Sequence, residues 1–258
     1  MKIDRVIFCL DDNPTYAGFW NLNSKVWKTV YGVKPTLMYI GAKGDIEKNN
    51  LSRQFGEIIV LPESPIDLCN NFRRKWYITW ALFYGPTLFP DDVCMTSGID
   101  QIPLSSMFMD RIANVSKDKY VIGFADAYRD MQDHFPSSHH VALGNLYKTR
   151  FDIDEDWLTE VNKVHETRTQ FNNLCMQSYW GLDESYSSRI ISKNRSGVEF
   201  INNFFHSSWS PRRIDRGWGL NYDTDKLSNG WYSEMHAPRP LKDCEQEVNK
   251  IISIAHGI

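Results

Sequence analysis

The sequence predicts an α/β protein built on a doubly wound, mostly parallel sheet flanked by helices. Three observations carry this. Short apolar runs of strand length recur through the first hundred residues, stretches of helical length separate them, and polar clusters stand where two of the runs stop.

Taken in order, Arg5-Val6-Ile7-Phe8-Cys9-Leu10 reads as a buried strand that ends at the polar loop Asp11-Asp12-Asn13-Pro14. Residues 16–31 space Tyr16, Phe19, Trp20, Trp27 and Tyr31 as a helix does. Thr36–Ile40 is a second strand closed by Gly41, and Glu57–Leu61 a third stopped by Pro62. Residues 66–84 read as a long amphipathic helix carrying Arg73, Arg74 and Lys75, and Val93–Thr96 as a fourth strand before Ser97-Gly98-Ile99-Asp100. Further helices are expected at 154–175 and 181–193. The stretch 206–240 is dense in Trp, Gly, Pro, Arg and Asp without clear periodicity, and reads as irregular. No internal repeat, low-complexity tract or linker breaks the chain, so one domain over 1–258 is expected.

Composition narrows the function classes. With 42% hydrophobic and 24% charged residues, the chain is an ordinary globular protein. Its net charge of -3, with no basic block, argues against a nucleic-acid partner. Five scattered cysteines without a CxxC pair suit reduced thiols better than a disulfide framework or zinc site. The opening MKIDRVIFCLDD is too short and too acidic at its end for a signal peptide or membrane anchor. A cytoplasmic protein with no membrane span is the expectation. The 9 Trp, 12 Tyr and 14 Phe chiefly supply core volume, but such rings also line clefts that hold bases and sugar faces.

In open parallel sheets, ligands bind outside the carboxyl ends of the strands. Two polar clusters fall there: Asp11-Asp12-Asn13, and Ser97 to Asp100. The second, with Gln101-Ile102-Pro103-Leu104 behind it, resembles the metal-binding Asp-x-Asp motif of glycosyltransferases of the GT-A fold. Aligned so, the motif is Gly98-Ile99-Asp100: the first carboxylate is missing and Asp100 takes the second position. Trp180-Gly181-Leu182-Asp183-Glu184-Ser185 resembles the acidic segment that faces the sugar in blood-group-type members. Phe135 to Tyr147, with His139, His140 and Gly144, falls where related enzymes place a glycine-containing strand beneath the donor sugar. Tyr232 to Pro240 carries His236 where many members have a C-terminal metal or diphosphate ligand. In overall look the chain resembles small viral and bacterial members, such as the capsid-glycan glycosyltransferase domain of large chlorella viruses.

This resemblance implies a Rossmann-like GT-A domain, with a nucleotide-binding half over about 1–105 and an irregular sugar and acceptor half over 106–258. It implies transfer of a sugar from a nucleotide-sugar donor, a UDP-sugar first, to a glycan or glycoprotein acceptor. Leu10, Asp11, Asp12, Asn13 and Tyr16 would meet the base and ribose; Arg73, Arg74, Ser97, Gly98, His140, Gly144 and Arg239 would complete the donor site, with Arg213 an alternative to Arg239. Asp100 and His236 would hold Mn2+ or Mg2+, with the missing first Asp a departure that bears on metal binding. Asp183 or Glu184 would be the general base of an inverting reaction, or the stabilising or nucleophilic carboxylate of a retaining one; inversion is slightly favoured. Three other readings compete. A sugar nucleotidyltransferase would have a glycine-rich loop after its first strand, where this chain has DDNPTYAG. A non-catalytic binder on the same fold would explain the missing Asp. A glycoside hydrolase would leave the diphosphate-type features without purpose.

Overall fold

The computed structural model describes residues 1–64, 74–128, 133–169, 182–201, 205–206 and 210–258; for 74–76, 167–169, 182–183, 205–206, 210–211 and 218 it describes the backbone alone. The first part of the chain alternates strand and helix: β1 (Arg5–Leu10), α1 (Pro14–Thr29), β2 (Lys34–Ile40), α2 (Lys43–Lys48), β3 (Glu57–Leu61), α3 (Arg74–Thr87) and β4 (Val93–Thr96). The middle adds β5 (Gln101–Pro103), α4 (Met107–Ile112), β6 (Tyr120–Gly123), β7 (His140–Leu143), α5 (Gly144–Phe151), α6 (Trp157–Thr169) and α7 (Leu182–Lys193). The last part holds β8 (Val198–Ile201), β9 (Phe205–His206), β10 (Ser210–Pro211), β11 (Arg213–Asp215), α8 (Thr224–Ser228), β12 (Glu234–His236) and α9 (Glu245–His256).

Seven strands form one sheet in the order β3-β2-β1-β4-β7-β6-β8. The first four run parallel to one another; β7 is antiparallel to both β4 and β6, and β8 runs parallel to β6. Both faces are covered, which is why β1 carries no polar alternation. Val6, Phe8 and Leu10 join one apolar cluster with Trp20 and Trp27 of α1, Val248 and Ile251 of α9, and Ile102, Ile214 and Met235. Ile7 points the other way, into a cluster with Tyr77, Trp80 and Phe83 of α3, Tyr147 and Phe151 of α5, Trp157 of α6 and Ile191 of α7.

Arg5 opens the apolar run yet is buried, and its partners explain that. Its guanidinium donates to Asp92 at 2.9 Å, Glu57 at 2.9 Å and Thr36 at 2.6 Å, and lies 3.5 Å from the centre of the Phe89 ring. A buried charge survives only when so paired. Arg5 thus ties β1, β2, β3 and the turn before β4 together at the amino end of the parallel strands.

The structure departs from the sequence expectations in the second half. The described residues of 205–240 hold four short strands, and β11 and β12 join β5 in a second, three-stranded sheet of order β11-β12-β5. Runs of two or three residues are too short to leave a periodic signature. The segment 135–147 is only partly strand, because Gly144 opens α5. A Cβ at Gly144 would stand 2.2 Å from the carbonyl oxygen of Phe89 and 2.3 Å from that of Pro86. This glycine is required by backbone packing at the end of α3. Among the described residues no helix is long and apolar enough to cross a membrane, and Cys9, Cys94 and Cys244 form no disulfide.

Because the atoms facing Gly144 are backbone, they cannot rotate away. Gly144→Ala is expected to lower the unfolding free energy by about 2 kcal/mol or more. A fall in the urea midpoint at unchanged slope would show it; an unshifted midpoint would mean that this helix start has room to give.

Candidate functional site

The strand order reverses between β1, whose chain goes on to β2 at one side, and β4 at the other; a crevice at the carboxyl ends follows from that topology. The turn after β4 is held firmly. Ser97 donates its backbone N–H to Ile7 of β1 at 3.0 Å, and the side chain of Gln101 accepts from the N–H of Gly98 at 2.9 Å. Asn23 of α1, fully buried, donates to the carbonyls of Ile99 and Gln101 at 3.1 and 2.8 Å. Asp100 therefore leaves the turn in a fixed place, and its carbonyl accepts from Ala237 at 2.9 Å. That bond continues the second sheet, whose register sets Asp215, His236 and Gln101 in line.

Along β11 and β12, alternate residues share a face. Arg213 stands opposite Glu234 and Asp215 opposite His236. The result is a row of alternating charge. His139 Nε2 lies 2.7 Å from Glu234, and Arg213 donates to the other carboxylate oxygen at 2.6 Å through Nε and more closely through Nη2. Arg213 faces Asp215 at 3.8 Å, Asp215 faces His236 Nδ1 at 3.3 Å, and His236 Nε2 faces Asp100 Oδ2 at 3.4 Å. The row ends on two more guanidiniums around that same oxygen: Arg216 Nη1 at 2.5 Å and Arg239 Nε at 3.4 Å. Arg239 also packs its guanidinium 4.8 Å from the centre of the Tyr16 ring of α1.

The charges answer one another. Burial pushes the Glu234 carboxyl up, but the Arg213 guanidinium and His139 outweigh it and hold the group at about 2. Burial likewise works against ionised Asp100, and His236 and Arg216 reverse that and hold it low. His236 is moved upwards although burial works against its charge, because Asp100 and Asp215 flank both ring nitrogens.

Asp100, His236, Arg239 and Tyr16 are thus brought together, with Ser97 and Gly98 in the same turn as Asp100. Asp100 differs in one respect: it is not open at the lip of the sheet but 7% exposed, beneath its three cationic partners. Arg216 and Asp215 were missed. They sit in the segment read as irregular, and only the register of two three-residue strands brings them here. Of the loop after β1, Asp12 is exposed, whereas Asp11 accepts from the N–H of Asn13 at 3.1 Å and Asn13 caps α1 by accepting from Thr15 at 3.0 Å. Leu10 is a correction: its side chain is 2% exposed and belongs to the core.

His140 is a second correction. Its ring is fully buried, bonded to the Tyr120 hydroxyl at 2.9 Å and the Pro136 carbonyl at 2.7 Å, and burial depresses it to about 4. His139, one residue earlier and in left-handed backbone at φ 64°, turns to the opposite face and joins the charge row. Gly144 is a third: Leu143 pairs with Val93, so Gly144 lies at the amino end of β4, the far end of the sheet from Asp100. Arg73 lies outside the described residues. Arg74 opens α3 and Asp183 lies in the first turn of α7, and neither side chain is described.

Glu184 stands in a separate polar group. Its carboxylate accepts from the Tyr128 hydroxyl at 2.8 and 3.0 Å and from the N–H of Ser137 at 3.3 Å, with His134 Nε2 at 3.6 Å. The carbonyl of Ser137 in turn accepts from Thr96, the last residue of β4, at 2.7 Å. Glu184 is therefore tied to the same carboxyl end as Asp100. Burial raises its pKa despite the two hydrogen bonds.

No protein-family model matches the sequence, and no curated protein does. Solved structures do match. The galactosyltransferase LgtC, in complex with donor and acceptor sugar analogues, aligns over 98% of this chain and 96% of its own, with 13% identity and a TM-score of 0.57. The apo form of the glycosyltransferase GlyE of Streptococcus pneumoniae TIGR4 aligns over 98% of this chain but 63% of its own, with 10% identity and a TM-score of 0.54. The chain has the GT-A fold. A glycosyltransferase involved in glycosylation of the major capsid of PBCV-1 aligns over the whole of both chains at 6% identity and a TM-score of 0.47, too distant to build on.

The GT-A resemblance implies a divalent ion on Asp100 and His236, and the residues present do not fit one. Gly98 stands where a second carboxylate would be, and among the described residues no group of three His, Cys, Asp or Glu side chains could hold a metal. Water and phosphate can complete the shell of Mg2+ or Mn2+ around one or two carboxylates. Here Asp100 Oδ2 is already engaged by two guanidiniums and an imidazole, so a dication on this carboxylate would sit among charges of its own sign.

The row makes a signed pH prediction. Glu234 is held below its ordinary 4.5, so its contribution is complete above that pH and fades as pH falls towards about 2. Wild type should exceed Glu234→Gln in stability by about 3 kcal/mol at pH 7, from roughly 1.4 kcal/mol per pKa unit, and urea unfolding should show the gap closing below pH 4.5. A gap that stays constant down to pH 3 would contradict the pairing.

Proposed function

We propose that the chain is a glycosyltransferase that moves a sugar from a nucleotide-sugar donor, a UDP-sugar, to a glycan or glycoprotein acceptor. One observation carries this reading: the Arg216 and Arg239 guanidiniums are gathered over buried Asp100 outside the carboxyl ends of β1 and β4. The fold shared with two structures of glycosyltransferases supports it.

In this reading the base and ribose lie against the loop Asp11–Asn13 and Tyr16, with amide and carboxyl groups reading imide and hydroxyl edges. The diphosphate lies against the guanidiniums, which stabilise the charge that grows on it as the glycosidic bond breaks. The sugar then points towards Ser137 and Glu184. A carboxylate with a raised pKa suits a general base, because it accepts a proton more readily than an ordinary one. Glu184 takes the acceptor hydroxyl proton while that oxygen attacks the anomeric carbon in line, and the configuration inverts. Tyr128 and the backbone of Ser137 orient the carboxylate for this step.

Thermal shift with UDP-, GDP- and dTDP-sugars tests the donor class, since a ligand bound to the native state raises its stability. The UDP series is expected to give the largest rise, together with slow release of UDP; no rise with any of them would remove the reading. Glu184→Gln is expected to lower turnover by about 100-fold or more with donor affinity unchanged. Equal turnover would take Glu184 out of the chemistry, and a product of retained configuration by NMR would replace its role as base.

A further inference from the structure

The charges around Asp100 do not balance locally. One carboxylate faces two guanidiniums and a histidine that a second carboxylate, Asp215, flanks on its other side. Asp215 and Glu234 are further along the row and are engaged by His236, Arg213 and His139. Immediately around Asp100, two guanidiniums share one carboxylate, which suits an anion and disfavours a further cation there.

The two guanidiniums are also held in position. Arg216 begins a single turn of 3-10 helix, Arg216–Trp218, capped by Asp215, which accepts from Gly217 at 2.7 Å. Gly219 ends it at φ 71°. Arg216 reaches Asp100 and the carbonyl of Ala237, at 3.2 Å, through one nitrogen, Nη1. Arg239 engages Asp100 through Nε and rests on Tyr16. An arginine has five N–H groups in a planar fork. Most of those on Arg216 and Arg239 have no other partner among the described residues, and both side chains are partly exposed, at 24% and 21%. Such forks grip phosphate oxygens in pairs.

Resting on the nucleotide-sugar reading, we infer that Arg216 and Arg239 bind the donor diphosphate directly in place of a divalent ion, with Asp100 positioning them, so that donor binding is metal-independent. Gly98 fits this account: with guanidiniums supplying the positive charge, a second carboxylate in the turn would only neutralise them. Asp100 is a positioning residue here. Its carboxylate fixes the inner edge of each fork and leaves the outer edge to the phosphates.

The test is calorimetric titration of UDP, GDP and dTDP into the full chain, in excess EDTA and separately in Mn2+. At least one diphosphate is expected to bind in EDTA with an affinity that Mn2+ changes less than about twofold, below half a kcal/mol. Arg216→Gln is expected to weaken it by about 10- to 100-fold under both conditions, the worth of a charge-assisted hydrogen bond or two. Removing that arginine leaves Asp100 with less charge around it. The double variant Asp100→Asn with Arg216→Gln, which buries no unpaired carboxylate, keeps the measurement readable if the single variant unfolds, and it should weaken binding at least as much, because Arg239 loses its anchor too. Binding that vanishes in EDTA and returns with Mn2+ would overturn the inference while leaving the nucleotide-sugar reading intact. A double variant that binds as wild type does would also overturn it. No binding of any diphosphate under either condition would remove the reading itself.

Discussion

Buried Asp100 is the constraint on which the site depends. A carboxylate at 7% exposure can stay ionised only if cations surround it. Those cations come from sequence positions more than a hundred residues away: Arg216, His236 and Arg239. The charge fixes where the C-terminal segment must lie, and that segment in turn builds the three-stranded sheet. Its two short strands would be weak as isolated pairs. They hold because Ile214 and Met235 are buried on one face while Arg213, Asp215, Glu234 and His236 form the charge row on the other.

The two ends of the parallel strands solve the same problem with opposite signs. At the amino end, buried Arg5 is surrounded by Asp92, Glu57 and a hydroxyl, and its donors are used by β1, β2, β3 and the approach to β4. That end is closed and structural. At the carboxyl end, buried Asp100 is engaged by two guanidiniums that are themselves partly exposed. Buried charge holds the fold in one case. In the other it holds two guanidiniums, the anion-binding pair of our proposal, at the place where the strand order reverses.

The first half of the fold was legible because long apolar strands and helices leave periodic signals; β1, β2, β3 and β4 fall where Arg5–Leu10, Thr36–Ile40, Glu57–Leu61 and Val93–Thr96 had them, with one or two residues added at most. Asp100 was legible from its turn beside a strand end, and His236 and Arg239 from their place in an irregular C-terminal segment. Arg216 was not, because its role depends on a register between strands of three residues, which no local pattern records. The histidine pair shows the same limit. Neighbours in a strand face opposite ways, but which of His139 and His140 meets the charge row depends on the left-handed backbone at His139, and the structure chooses His139. The resemblance put Gly144 in the donor site, but what the missing side chain admits is the carbonyls of Pro86 and Phe89.

The most direct measurement is a crystal structure of the chain with UDP. The account requires diphosphate oxygens within hydrogen-bonding distance of the Arg216 and Arg239 guanidiniums, with the uracil towards Tyr16 and the loop Asp11–Asn13. A nucleotide seated anywhere else on the molecule, with Arg216 and Arg239 still turned wholly to Asp100, would contradict it.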